Sequence, residues 1–407
     1  MGITWRNASG IALQGVYWTA FCSFYSYAAV FLLGLSFSSS SIGLLMAGAS
    51  MLAVILQPAM GHWVDNGVSH YGHSRLKKIS LGIVLVAWGS SIGLVLFKSA
   101  ILPVILLYFT GLTGIIVLQP LFSALILSQG DGGQRVNFGV ARAFGSFFYA
   151  IGSVLIGVLI EAISPGILPL ISTGLIGVLL VVVVSFPEGK CDTRETAANT
   201  ELDLKKSSGF GFIHQYPGFL KILIGLAFVF VFHTMAGVFL VNVIEANGGT
   251  ESQLGFALMV MAAVEIPVMI GSNQLMKRFG IKRLFIVAML CYILRSLGLL
   301  MAQDMMGIYF AQMLQACSFA IYIPISVAFI NDWMASGDKV KGQTMIVSAT
   351  TLGSVAGSVF GGMIIDQFGV SAMLLTGTIS ATIGAGLVIW GLIKRASKEN
   401  ELKSHAL

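Results

Sequence analysis

Charge is what this chain lacks. Only 10% of its 407 residues are Asp, Glu, Lys or Arg, against about 25% in an ordinary soluble domain. So few ionic groups cannot cover a water-facing surface, which excludes a soluble globular protein. Cysteine is scarce as well. Cys22, Cys291 and Cys317 stand inside apolar runs and Cys191 in a polar stretch. None has metal-ligand spacing, so no disulfide and no metal centre is implied. No Gly-xxxx-Gly-Lys-Ser/Thr loop occurs, so a phosphate-cradling ATP site is absent. Nor do a serine, a histidine and an acid recur at one depth, as a hydrolase inside a membrane would require. Neither an enzyme activity nor a cofactor is expected.

What is present is hydrocarbon. Hydrophobic residues make up 56% of the chain, and mean hydropathy is +0.90. Runs of about 20 apolar residues are long enough to cross a bilayer as helices. They fall near 11–35, 41–63, 78–98, 101–128, 137–161, 165–187, 217–245, 253–276, 283–303, 306–331, 342–366 and 370–393. The expected fold is therefore an all-α membrane protein with twelve spans. The first span is too long for a signal-peptide core and is expected to be retained.

The few charges then set the topology. With the N-terminus inside, nineteen of the 23 Lys and Arg fall in cytoplasmic segments and only Lys98 opposite. Glu161, Glu245, Glu251, Asp304 and Asp366 crowd that opposite side. The bias places both termini in the cytoplasm. It also accounts for the net charge of +6 without a nucleic-acid partner.

Between Pro187 and Gly211 the apolar pattern stops and acids and bases alternate. This reads as a cytoplasmic loop, 188–213, between six spans in 1–187 and six in 214–394, with a tail at 395–407. The halves echo each other. Gly152 to Glu161 and Gly357 to Asp366 share five of ten residues at an offset of 205, and both end in an acid. Ser41-Ile42-Gly43 is echoed by Gln253-Leu254-Gly255. Two homologous six-helix bundles imply a ligand site at their interface near the midplane.

Ionisable residues inside spans are expensive and mark pathways. Arg142 lies in span 5, followed at helical spacing by Ser146, Tyr149 and Ser153. Glu265 stands in span 8 just before Pro267, Arg295 in span 9 after Cys291 and Tyr292, and His233 in span 7. Glu265 is the one carboxylate near midplane depth and so the natural proton carrier; an ion pair joining helices is the alternative for it and for Arg295. A hydrogen-bonded packing histidine is the alternative for His233. Span 1 carries Gln14, Trp18, Phe21 and Tyr25 on one face, either as packing or as ring faces for a sugar or nucleobase. Span 10 carries Gln315, Ser318, Tyr322 and Ser326, and span 11 Thr344, Ser348, Thr351 and Ser358. His62, His70 and His73 read as solvated loop histidines rather than a metal set.

Phe138-Gly139-Val140-Ala141-Arg142-Ala143-Phe144-Gly145 resembles span 5 of the oligosaccharide:proton symporters of the major facilitator superfamily. The superfamily resemblance covers nearly the whole chain. It implies the fold of two pseudo-symmetric six-helix bundles in a plasma-membrane carrier, by default a monomer. It also implies sugar contact by Arg142, ring stacking at Tyr149, and sugar binding by Glu265, with Arg295 matching the family's span 9 arginine. Gly61 to Asp65 resembles the superfamily's loop 2–3 signature, and Lys277-Arg278-Phe279-Gly280 its second copy, so Gly61, Asp65 and Arg278 are candidate gating residues. This chain departs from the family where span 4 has no acid, Ala124 standing near that place. It departs again in span 10, where Gln315 and Ser318 replace a histidine and a glutamate. The expectation is proton-coupled symport of a sugar or nucleoside. Arg142, Tyr149, Glu265, Trp18, Tyr25, Gln315 and Tyr322 would contact the solute, and Glu265, Arg295 and His233 would couple the proton. Glu265-Ile266-Pro267 also resembles sugar-efflux members, and proton-driven efflux of drugs or sugars is the second expectation.

Overall fold

A computed structural model describes residues 5–65, 72–128, 138–187 and 215–404. Among these there is no strand. The first span is α1 (Trp5–Phe21), a π-helical segment (Cys22–Ser26) and α2 (Ala28–Gly34). Then come α3 (Ser39–Asp65), α4 (Gly72–Leu96), α5 (Ile101–Leu127), α6 (Phe138–Ala162) and α7 (Leu168–Ser185). The seventh span is α8 (Phe219–Val238) with α9 (Leu240–Ala246), followed by α10 (Glu251–Phe279) and α11 (Ile281–Met301). The tenth is α12 (Met305–Met313), a π-helical segment (Ala316–Ala320) and α13 (Ile321–Trp333); α14 (Lys339–Phe368) and α15 (Val370–Ser404) close the chain. Eleven helical stretches among the described residues are long and apolar enough to cross a membrane. A bent pair, Ala8–Ser26 with Ala28–Gly34 at 40°, makes twelve if counted as one span.

The helices group into two compact units, Met1–Ala198 with Gly249–Ile266, and Asn199–Gly248 with Pro267–Leu407. Lipid is as apolar as leucine, so helices associate through close packing rather than a hydrophobic drive. Small residues supply that closeness. In the first unit α6 lies on α1: a Cβ at Gly145 would come within 2.6 Å of the Trp18 ring, and one at Gly152 within 2.7 Å of Thr19. In the second unit α14 lies on α8, and a Cβ at Gly353 or Gly357 would strike the carbonyls of Ala227 and Val231. The two echoed sequence segments thus do equivalent work, each seating its helix on the first span of its own unit.

Among the described residues two spans carry a π-helical segment, and each sits among candidate residues. Tyr27 N donates to Cys22 O at 3.2 Å, and Ala320 N to Gln315 O at 3.1 Å. Both bonds run five residues back, the π pattern, which recurs at functional sites. Pro324 and Pro267 lie inside α13 and α10. Each proline removes a backbone donor and frees the carbonyl four residues earlier. For Pro267 that carbonyl is Ala263, one turn beside Glu265.

Candidate functional site

The first unit gathers most of the sequence candidates around one indole. Trp18, Phe21 and Tyr25 lie on one face of the first span, all half-buried. Ring centroids step 5.1 Å from Trp18 to Phe21 and 4.8 Å from Phe21 to Tyr25, the latter pair stacked. The indole is held on three sides. Its Nε1 donates to Gln14 Oε1 at 2.9 Å, Gly145 leaves room for its edge, and the Arg142 guanidinium sits 4.2 Å from its centroid. A cation over an indole face is attracted by the ring quadrupole, and more strongly where water is excluded.

Arg142 also donates from Nη1 to Ser146 Oγ at 2.8 Å, so the i,i+4 spacing does bring these two together. The guanidinium carries five N–H donors in a planar fork, and Arg142 is half-buried rather than sealed. It therefore presents donors beside an aromatic plate, an arrangement chemically able to hydrogen-bond and stack on a hydroxylated ring. Glu265 is 8% exposed, and its carboxylate acts by charge on Arg142 and on Tyr149. Glu265 belongs to the same unit as Arg142, Trp18 and Tyr149. Tyr149 shares a hydrogen bond of 2.8 Å with Ser26, inside the π-helical segment.

Ser153, fourth in the Arg142 stripe, has a different task. Its Oγ donates to Ala150 O at 2.9 Å and to Gly255 O at 3.0 Å, while its own carbonyl accepts the Tyr27 hydroxyl at 2.6 Å. A Cβ at Gly255 would stand 2.5 Å from Ser153 O, and one at Gly157 2.5 Å from Glu251 O. Ser252 N donates to Glu161 Oε2 at 3.0 Å. Together these contacts zip α6 to the start of α10. Glu161, which marks the repeat and the non-cytoplasmic side in sequence, and Gly255, which marks the repeat, are seam residues.

The second unit gathers the rest. Arg295, 1% exposed, donates from Nη2 to Gln312 Oε1 at 2.7 Å and acts by charge on His233. His233 stacks on Phe319 at 4.6 Å and 15°, with Phe230 at 5.3 Å and Tyr292 edge-on at 6.0 Å. Tyr322 packs on Phe230 at 5.3 Å, and Gln315 is buried in the turn before the second π segment. Ser318 donates to the Leu314 carbonyl and is spent on its own helix. The thiols of Cys291 and Cys317 are in contact with each other. Gln312 and Phe319 were not foreseen. Their only advance signal is helical spacing from Gln315, which a single apolar span does not rank.

Of the gating candidates, Arg278 is exposed and lies over its neighbour Phe279, 5.5 Å to the ring centroid. Gly61 and Asp65 fall on α3, and their side chains lie outside the described residues. Among the described residues no group of three or more His, Cys, Asp or Glu comes together as a metal site.

Comparison with known proteins identifies the family and the fold. Residues 12–375 match the MFS_1-like family. Maltose permease of Geobacillus stearothermophilus is 27% identical over 164 residues, 39% of this chain and 41% of that protein, so the chain matches about two fifths of that relative's length. In fold, a crystal structure of the nucleoside transporter NupG aligns with TM-score 0.74 and 14% identity over 97% of this chain and 99% of that one. A point mutant of NupG gives 0.78 at 12% identity, over 95% and 99%. A bacterial homologue of the lysosomal transporter Spinster, inward-facing and unoccupied, gives 0.65 at 13% identity, over 98% and 99%. The chain is a member of the MFS_1-like family of membrane transporters.

Proposed function

We propose that this protein carries a sugar or nucleoside by proton-coupled symport through alternating access. The observation that supports it most is the half-buried Arg142 guanidinium lying over Trp18 within the field of Glu265. Donors beside a ring face suit a neutral hydroxylated ring, and both maltose permease and NupG carry such a solute in their names. Trp18 and Tyr25 supply stacking, Arg142 and Tyr149 hydrogen bonds, and Gln315 and Tyr322 are further solute-contact residues.

Glu265 is the proton carrier in this reading. Protonated, it releases Arg142 to the solute; ionised, it holds Arg142 by charge. Alternation between those states ties one proton to one loading event. Arg295 and His233, which share a field in the second unit, complete the coupling set. Gly61, Asp65 and Arg278 gate the cytoplasmic side. The halves 1–187 and 214–394 are joined by the loop 188–213. The chain works as a monomer in the plasma membrane, with both termini cytoplasmic by its basic-residue bias.

The test is flux in proteoliposomes with a proton gradient imposed in either direction. Wild type should accumulate solute when the outside is acidic. Glu265→Gln should lose uphill accumulation yet keep solute-for-solute exchange. Accumulation only with the opposite gradient means efflux, and undiminished accumulation by Glu265→Gln removes that carboxyl from coupling.

A further inference from the structure

Among the described residues Gln312 has one end of its amide occupied and the other idle. Its side chain is 0% exposed, and its Oε1 accepts from Arg295 at 2.7 Å. A guanidinium only donates, so that contact decides which way the amide points: oxygen toward Arg295, Nε2 away. Nε2 has no hydrogen-bond partner among the described residues. Buried amide donors are almost always satisfied, and one left unsatisfied is costly. His233 Nδ1 is a second such atom among the described residues, and it sits in the field of the same guanidinium.

An acid at this position would pair with Arg295 and leave no idle donor. The amide instead fixes the guanidinium with one end and keeps two N–H bonds with the other. The backbone offers a way to reach them: α12 stops at Met313, and the π-helical segment starts at Ala316. The half-buried ring of Phe319 stands in that segment. Gln312 therefore lies in the last turn before the break in its span.

We propose that Gln312 is a substrate-recognition residue, its Nε2 donating to an oxygen of the transported solute while its Oε1 keeps Arg295 in place. The oxygen is a sugar hydroxyl or a nucleobase carbonyl, both acceptors carried on a ring. The inference rests on the transport reading and deepens it, and the experiment separates the two.

Purified full-length protein is titrated with maltose and with uridine, and binding is read from the shift in melting temperature, for wild type, Gln312→Glu and Gln312→Leu. Gln312→Glu should melt no lower than wild type without ligand, because a carboxylate pairs with Arg295. It should nevertheless bind the solute that wild type binds about tenfold or more weakly. The probe whose binding falls identifies the class of solute that Gln312 contacts, a saccharide for maltose and a nucleoside for uridine. Wild-type affinity in Gln312→Glu overturns the inference and leaves the transport reading standing. So does a Gln312→Leu protein whose affinity falls only in step with its melting temperature, which marks a purely structural residue. A wild type that responds to neither probe overturns the transport reading for both solute classes, and this inference with it.

Discussion

Arg142→Ala should lower saturable solute uptake by about 100-fold or more in proteoliposomes, while the protein inserts and purifies normally. The expectation follows from what the guanidinium does in the structure. Among the described residues it gives one hydrogen bond, to Ser146, and rests over Trp18, so most of its donors remain for a ligand. A hydrogen bond to a charged group contributes about 1.5–3 kcal/mol, and about 1.4 kcal/mol is tenfold in affinity. Two such bonds to a solute therefore amount to about two decades or more. Arg142→Lys sharpens the point. It keeps the charge that Glu265 feels but loses the planar fork and its stacking on the indole. If bidentate donation is the active feature, the lysine variant recovers little of the lost uptake; full recovery would mean that only charge matters.

Gly255→Leu is expected to be as severe for a different reason. The seam between α6 and α10 leaves no room for a side chain, since a Cβ there would lie 2.5 Å from Ser153 O and 2.8 Å from the Tyr27 hydroxyl. The helices must separate, and the Ser153–Gly255 bond of 3.0 Å breaks with them. Packed interfaces respond to such a wedge by switching arrangement rather than by stretching. If alternating access opens this seam, the variant is held open. Uptake should then fall by about two decades, to near background, while solute binding to the purified protein persists. A cysteine placed at Ser153 should also react faster with a water-soluble maleimide in the Gly255→Leu background. Normal uptake with an unreactive cysteine would show that the seam is a fixed joint.

The contrast between these residues shows what a sequence alone discloses. The membrane class, the number of spans and the place of Arg142 follow from composition and from the 3.6-residue period, both local properties. Arg142, Ser146 and Tyr149 share one helix, so their common face could be read directly. The aromatic steps from Trp18 to Tyr25 were legible for the same reason, though not the indole's position under Arg142. That contact joins span 1 to span 5 and depends on Gly145 standing where any larger residue would displace the ring.

The features that stayed hidden depend on pairing between distant segments. Nothing local in Cys22–Ser26 or Ala316–Ala320 announces a π turn, because the extra residue is accommodated by neighbouring helices. Gly157 and Gly255 look like ordinary small residues until α6 and α10 meet. Gln312 looks like any amide in an apolar span, and only its bond to Arg295, 17 residues away, shows which end is occupied. Ser153 and Ser318 were grouped with pathway residues because periodicity gives direction without partners; in the structure each spends its hydroxyl on carbonyls.

The claim beneath all of this is that solute docks on the indole that Arg142 covers. Six tryptophans occur in the chain, so a variant retaining Trp18 alone, the other five replaced by phenylalanine, isolates its fluorescence. Titrating that protein with a transported solute should change the emission saturably, at a midpoint equal to the uptake KM, and Arg142→Ala should abolish the change. An emission unmoved by a solute that the same variant still transports would contradict the account.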